Sequence, residues 1–389
     1  MRRRGSVAPL AAREISTPVP SRVGPYEIVG RIAAGGMAEV YAARAPAGDS
    51  MPRVVAVKQP RRDVVDERQF VEMFFDEARI ASMVASPHCV ETYTLGSDDE
   101  GRPYLVMPLV VGVSLSRLLA HGGAIPPAIA AEIGAQIALG LHDAHRATGP
   151  DGAPLGIVHR DMSPPNVLVD VEGCARVADF GVAHAYARIT RTRTGELKGK
   201  LGYFAPEQIE GAPVDARTDV FALGIVVWEM LTGRRLVHAK SYVEAYQALA
   251  IAPIPDVRER APHVPAELAA VVAQALRRPP AERFADAESF ATALRASLPR
   301  VATAGEIGAL VRERAGIDLR RLEELAAAAA GAGSWTIDVT ALPRIGASEE
   351  STRLGARMED ETQVSGPPRF DEQRGVLARV RAWLAQLFA

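Results

Sequence analysis

The stretch from Val158 to Asp179 constrains this chain more than any other; it reads VHRDMSPPNVLVDVEGCARVAD. The apolar pair Ile157 and Val158 leads into His159-Arg160-Asp161, and Asn166, five positions after Asp161, opens a second apolar run from Val167 to Val169. Glu172-Gly173 reads as a hairpin turn. The returning strand, Ala175 to Ala178, then brings Asp179 back to the same end of the sheet. Asp161, Asn166 and Asp179 are therefore expected to converge on one cleft. Two carboxylates and an amide oxygen are hard donors, suited to Mg2+ and the phosphates it accompanies.

With Phe180 and Gly181 the segment carries HRDxxxxN at His159–Asn166 and DFG at Asp179–Gly181. Either tripeptide alone is a chance match in a chain rich in Arg, Asp and Gly, whereas both, in order and at this spacing, are not. On these residues the chain resembles bacterial protein kinases of the eukaryotic-like (Hanks-type) Ser/Thr family. The resemblance implies an α+β, two-lobed protein kinase fold with a small β-rich N-lobe, a larger helical C-lobe and a helical C-terminal extension. It also implies roles: Asp161 accepts the proton of the substrate hydroxyl, Asn166 and Asp179 hold Mg2+, and ATP is the phosphoryl donor.

Composition agrees with one such domain. The 389 residues, 48% hydrophobic and 24% charged, suffice for a core of roughly 250 to 300 residues with tails to spare. A net charge of −2 argues against a nucleic-acid partner. Cys89 and Cys174 lack metal-ligand spacing and read as buried thiols in a reducing cytosol. No secretory signal opens the chain, and the weakly polar run Leu325–Ile337 is far short of the roughly 20 apolar residues of a membrane span. A cytoplasmic protein without an integral membrane segment is expected.

Residues 1–25, with five arginines among Pro, Ser and Ala, are expected to be disordered, and 26–298 to form the kinase domain, with N-lobe 26–107 and C-lobe 111–298. Arg31 to Tyr41 reads as strand, turn and strand, whose small turn residues let backbone N–H groups approach phosphate oxygens. The turn departs from the family's G-x-G-x-x-G, because Ala33 and Ala38 stand at the outer glycine positions and leave Gly35, with Gly36 beside it. The resemblance assigns the nucleotide to Ile32, Gly35, Gly36, Val40, Ala56, Lys58, Met107, Pro108, Val110 and Leu168. In that assignment Met107 is the gatekeeper, while the Pro108 carbonyl and the Val110 N–H meet the adenine edge. Lys58 ends the alternating run VVAVK and would pair with the α- and β-phosphates. Glu77 sits within a helical stripe of Phe70, Phe74, Ala81 and Val84. A carboxylate on a buried face needs a cation. Lys58 is the candidate, and the pair is the family's activity latch.

After Gly181 a basic loop containing Arg188, Thr190, Thr192, Thr194, Lys198 and Lys200 runs to Ala205-Pro206-Glu207. It reads either as a solvated surface or as a switch, in which Arg160 pairs with a phosphate on one of the three threonines. By resemblance Asp219 anchors the catalytic loop backbone and Arg283 pairs with Glu207. Those contacts belong to protein kinases rather than to small-molecule kinases of related fold. Two departures coincide: Ser163 replaces the lysine two positions after Asp161, and Lys200 replaces the threonine of the loop before Ala205. The hydroxyl and the ammonium have traded places, and are expected to face each other across Asp161.

Residues 299–332 read as a helical extension with Leu310, Leu319, Leu322 and Leu325 apolar and Gly331 as its stop. A linker over 333–372 follows, and then an amphipathic helix over 373–389, with Val376, Val380, Trp383, Leu384 and Leu387 on one face. That helix is expected to dock on the core or on a partner protein, with a membrane surface as the lesser alternative. The expected function is ATP- and Mg2+-dependent phosphorylation of Ser/Thr in protein substrates, including the chain's own activation loop. A pseudokinase scaffold is the rival, kept open by Ser163.

Overall fold

The computed structural model describes residues 19–35, 38–47, 51–62, 68–149, 151–180 and 200–331, with the backbone alone at 68–73, 76 and 77. Its first layer is an antiparallel sheet of β1 (Arg22–Val23), β2 (Tyr26–Ala34), β3 (Ala38–Arg44), β4 (Val54–Pro60), β5 (Thr94–Ser97) and β6 (Pro103–Pro108), in the order β1-β2-β3-β4-β6-β5. Helix α1 (Arg68–Met83) connects β4 to β5.

The two faces of this sheet follow from the alternation of β4. Val55 and Val57 point into a cluster with Val23, Tyr26, Ala43, Tyr93, Tyr104 and Val106. Ala56 and Lys58 point the other way. Directly paired residues share a face, so Val40, opposite Lys58, and Met107, opposite Ala56, line that second side. There Leu105 packs with Phe74 and Ala78 of α1, and Met107 lies against them. The sheet thus carries one apolar side and one side whose single lysine is set among short or half-buried residues.

Strand β1 corrects the expected N-terminal boundary. Arg22–Val23 pairs with β2, Val23 is only 1% exposed, and Tyr26 and Tyr104 meet edge to face at 5.7 Å. A two-residue strand is too short to show a period, which is why composition alone made it look disordered.

The second layer begins with β7 (Gly112–Ser114), α2 (Leu115–Gly122) and α3 (Pro127–His145), then β8 (Val167–Asp170) and β9 (Ala175–Val177). Strands β7, β8 and β9 form a three-stranded antiparallel sheet. There follow α4 (Pro206–Glu210), α5 (Ala216–Thr232), α6 (Tyr242–Tyr246), α7 (Val257–Arg260), α8 (Ala266–Ala275) and α9 (Ala287–Ala296). Helix α5 is buried from Thr218 to Thr232, and α3 along most of its length. Helices apolar all round belong inside, and these two form the centre about which α8 and α9 pack.

The last described helix, α10 (Ala304–Ala330), starts at Thr303. The Thr303 hydroxyl accepts from Glu306 N at 3.3 Å, while Glu306 Oε2 accepts from Thr303 N at 2.8 Å, a reciprocal cap. The helix kinks at Ala315 (φ −119, ψ 18), just before Gly316, and stops at Gly331, whose φ is 72. Ile307, Leu310, Val311, Ala315 and Leu319 belong to the same core cluster as α3 and α5. The core therefore does not close near Leu298. The alanines and glycines of α10 mute its apolar stripe in the sequence, although they are what allows its close approach. Among the described residues no helix is long and apolar enough to cross a membrane. Residues 332–389, which include the expected linker and terminal amphipathic helix, lie outside the described residues.

Candidate active site

The β8–β9 hairpin frames the site. A single 3-10 turn, Pro164–Asn166, runs straight into β8, and β9 ends two residues before Asp179. Ala178 N donates to Asn166 O at 2.9 Å, which holds Asp179 beside Asn166. Asn166 Nδ2 donates to Asp161 O at 2.8 Å and to Asp161 Oδ2 at 2.9 Å. One buried amide therefore fixes the carboxylate five residues earlier, and its own Oδ1 is directed away from Asp161.

The loop carrying Asp161 is held from below by Asp219, which is completely buried near the start of α5. Its two oxygens accept from His159 N at 2.7 Å and Arg160 N at 2.8 Å, and His145 Nε2 lies 2.7 Å from Oδ2. Burial by itself would raise the carboxyl pKa. The His145 hydrogen bond, the nearby imidazoles and the Arg160 N–H outweigh it and hold the group below its ordinary value. This anchoring matters because Arg160 has φ 64 and Asp179 φ 57, the only non-glycine residues with positive φ among the described residues. A side chain in the left-handed region is held there only by its surroundings, at about 1 to 3 kcal/mol each. Gln208 Nε2 adds a bond to Arg160 O at 2.9 Å, and the ring of Phe180, 1% exposed, packs 5.2 Å from His159.

Two lysines meet the two carboxylates. Lys58 Nζ lies 2.7 Å from Asp179 Oδ1, joining the sheet of the first layer to the end of β9. Glu77 lies on α1, and its side chain is outside the described residues, so the expected Lys58–Glu77 latch falls outside them too. Lys200 Nζ lies 2.5 Å from Asp161 Oδ2, while the buried Ser163 hydroxyl donates to Asp161 O at 3.4 Å.

The remaining expected positions surround this centre. Ile32, Val40, Met107, Pro108, Val110 and Leu168 are half-buried, Ala56 is buried, and Gly35 is exposed with its N–H closing the turn onto Ala38 O at 2.9 Å. Gly36, Thr190, Thr192 and Thr194 lie outside the described residues. Arg160 Nε is buried with no hydrogen-bond partner among the described residues. Away from the centre, Glu207 and Arg283 form a buried two-pronged pair at 2.6 and 2.7 Å, with Thr218 Oγ1 also donating to Glu207 Oε1 at 2.8 Å. Of the two cysteines, Cys89 is buried but Cys174 is only half-buried, its Sγ lying 3.6 Å from Pro87 O and 3.7 Å from His88 Nδ1.

Sequence reasoning did not single out the Tyr203–Glu229 contact, in which the phenol donates to Oε2 at 2.7 Å while Leu236 N donates to Oε1 at 3.0 Å. Burial raises the Glu229 pKa, and these two donors only partly offset it. The signal was present: an acid inside the apolar run of α5 has to find donors, by the argument already applied to Glu77.

Among the described residues no group of three His, Cys, Asp or Glu side chains stands together as a metal cage. Mg2+ binds through one or two protein oxygens and completes its shell with water and phosphate. Asn166 Oδ1 and the half-exposed Asp179 carboxylate fit that donor set.

The protein kinase domain family matches residues 26–294. The chain belongs to the protein kinase family. It is 39% identical over 275 residues to the Tyrosine-protein kinase MasK of Myxococcus xanthus, an overlap of 70% of this chain and 42% of that one. It is 34% identical over 267 residues to the Serine/threonine-protein kinase PrkC of Bacillus subtilis, covering 69% of this chain and 39% of the relative. With the Serine/threonine-protein kinase PknL of Mycobacterium tuberculosis it shares 34% over 272 residues, 70% of this chain and 65% of PknL. The chain thus spans from about two-fifths to two-thirds of the length of these curated relatives. Among solved structures, the kinase domain of Mycobacterium tuberculosis PknI aligns with a TM-score of 0.56 and 25% identity, over 72% of this chain and 100% of that domain. As in a family of this kind, the β-sheet layer is the N-lobe and the helical layer the C-lobe.

Proposed function

We propose that this chain is an ATP- and Mg2+-dependent protein kinase that phosphorylates Ser and Thr hydroxyls of proteins, its own activation loop among them. The observation that carries the reading is the fixing of Asp161: Asn166 Nδ2 and Lys200 Nζ both reach Oδ2, which leaves Oδ1 to take the proton of an incoming hydroxyl. Bound Mg2+ supplies charge neutralisation at the β- and γ-phosphates. Asn166 and Asp179 would hold it, and Lys58, already 2.7 Å from Asp179, stands ready for the α- and β-phosphates. The half-buried apolar set Ile32, Val40, Met107, Val110 and Leu168, with Ala56, is suited to an adenine ring.

In this reading Lys200 is the cation of the transferring phosphate, in the role for which the catalytic loop offers only the Ser163 hydroxyl. Arg160, whose Nε lacks a partner among the described residues, is the receiver for a phosphate on Thr190, Thr192 or Thr194. Glu77 completes the latch with Lys58. Glu207, Asp219 and Arg283 are structural. The cytoplasm is the proposed location, and a partner protein is the proposed target of the segment after Gly331. A pseudokinase reading is disfavoured because Lys58, Asp161, Asn166 and Asp179 are all present. The name of MasK favours one second reading, phosphorylation of tyrosine. Incubation with labelled ATP and Mg2+, with Asp161→Asn as control and acid hydrolysis of the product, decides between them. Phosphoserine and phosphothreonine are expected; phosphotyrosine alone would reverse the substrate class, and equal labelling of the Asp161→Asn chain would remove the site assignment.

A further inference from the structure

Helix α10 runs across both lobes. At 27 residues it is about 40 Å long, enough to span a small domain. Its first half is seated on the C-lobe. Ile307 and Val311 are fully buried, and Gly308 lies so close to Val171 O that a Cβ would collide with it. Arg314 Nη1 donates to Gly123 O at 3.1 Å and Nη2 to Ala124 O at 2.6 Å, while Arg117 pairs with Asp318 at 2.7 Å.

The second half is seated on the N-lobe, against β2, β3 and β4. A Leu325 methyl fills the space where a Cβ on Gly30 would stand, 2.5 Å away. Arg44 of β3 donates from Nε to Ala329 O at 2.8 Å and from Nη2 to Ala328 O at 2.9 Å. Carbonyls in the last turn of a helix have no partner inside it, and a cation there also meets the negative end of the helix dipole. Arg321 adds a 3.3 Å bond to Arg31 O, and Ala326 and Ala329 are wholly buried. C-lobe contacts continue past the Ala315 kink through Asp318 and Leu319, and the N-lobe contacts begin at Arg321.

The tethered strands are β2 and β3, which carry the phosphate turn at Gly35. We propose that α10 is a positioning element of the nucleotide site, with Leu325 and Arg44 as positioning residues that hold the β2–β3 hairpin at its working height over β8. Without them the hairpin samples heights at which the nucleotide is not clamped, and apparent affinity falls by the fraction of chains that remain competent. Turnover of the clamped complex is unaffected, because Lys58, Asp161, Asn166 and Asp179 are untouched. The inference rests on the reading that the cleft binds ATP.

The test uses the full chain carrying Arg44→Gln with Leu325→Ala, and Arg44→Gln alone in case the pair does not fold. Ile317→Ser is the control, since Ile317 lies on the same helix and is 78% exposed. ATP affinity is read by calorimetry with Mg2+, alongside KM and kcat, and amide exchange is followed in 322–330 and in β2–β3. The expected result is a rise of about 5-fold in Kd and KM for ATP with kcat within about 2-fold, faster exchange in both segments, and no change for Ile317→Ser. A purely structural role would lower the thermal midpoint and the folded fraction and leave the KM of the folded molecules alone. An unchanged Kd in the variants, or the same rise in Ile317→Ser, overturns the proposal. Failure of the unaltered chain to bind ATP would instead overturn the reading of the cleft.

Discussion

Lys200 Nζ and Asp161 Oδ2 are 2.5 Å apart, and the Ser163 hydroxyl reaches the backbone carbonyl of the same aspartate. The ammonium meets the carboxylate of Asp161, and the hydroxyl meets its backbone carbonyl. A unit charge about 4 Å from developing phosphate charge is worth around 4 kcal/mol at an effective dielectric near 20, before desolvation. Lys200→Thr is expected to lower kcat by about 10^2-fold or more. Ser163→Lys alone should also lose activity by crowding two cations, and the double variant should recover much of it. Steady-state kinetics of the three variants provide the check, and simply additive losses would leave Lys200 without this role.

Asp161→Asn and Asp179→Ala are each expected to reduce autophosphorylation by about 10^2- to 10^4-fold without unfolding the chain. In Asp179→Ala, Lys58 loses its 2.7 Å partner, so nucleotide affinity should change as well. Labelling and calorimetry, read beside circular dichroism, separate these effects.

Arg283→Met should destabilise the fold more than any of the substitutions at Asp161, Asp179 or Lys200. Glu207 would keep a buried charge with Thr218 as its remaining side-chain donor, a situation that typically costs about 3 to 5 kcal/mol. For a domain of this size that is a fall of roughly 10 °C in Tm, measurable by scanning calorimetry. A drop of a degree or two would show that the pair is easily replaced.

The Asp219 carboxyl gives a pH signature. Its folded-state pKa is depressed, so its charge contributes stability that is fully present above the unfolded value, near 3.9. That contribution is lost as the pH falls through the folded value. Asp219→Asn should therefore be less stable than the unaltered chain at neutral pH, by roughly 1.5 to 3 kcal/mol for each charge-assisted bond weakened. The gap should narrow once the pH drops below about 4. Urea midpoints at pH 7, 5 and 3.5 would reveal it; a constant gap would mean the carboxylate's charge is not what holds His159 and Arg160.

Much of the centre is legible in the sequence because its chemistry restricts residue types. Hard oxygen donors at 161, 166 and 179, separated by a strand, a turn and a strand, have few ways to be arranged. The Ala178–Asn166 bond that closes the arrangement is ordinary hairpin geometry. Less legible were contacts that depend on three-dimensional neighbours. His145 is one of several histidines until the fold sets it 2.7 Å from Asp219, and Glu229 gains meaning only when α5 is known to be buried on every side. The extent of the core was misread for a physical reason: in α10 packing depends on small side chains, so hydrophobicity underestimates how intimately the helix is held. Val23 was missed because two residues carry no period.

The end of α10 also fixes where the remainder of the chain begins. Arg44 holds the carbonyls of Ala328 and Ala329, so Gly331, the last described residue, sits beside the N-lobe sheet. A load on the segment beyond it, whether from a docked partner or a taut linker, would be delivered first to β3 and through β2 to the phosphate turn. The helix would then be an arm seated on the C-lobe as far as Leu319 and on the N-lobe sheet from Arg321, and a pull on the tail would be felt at the proposed nucleotide turn.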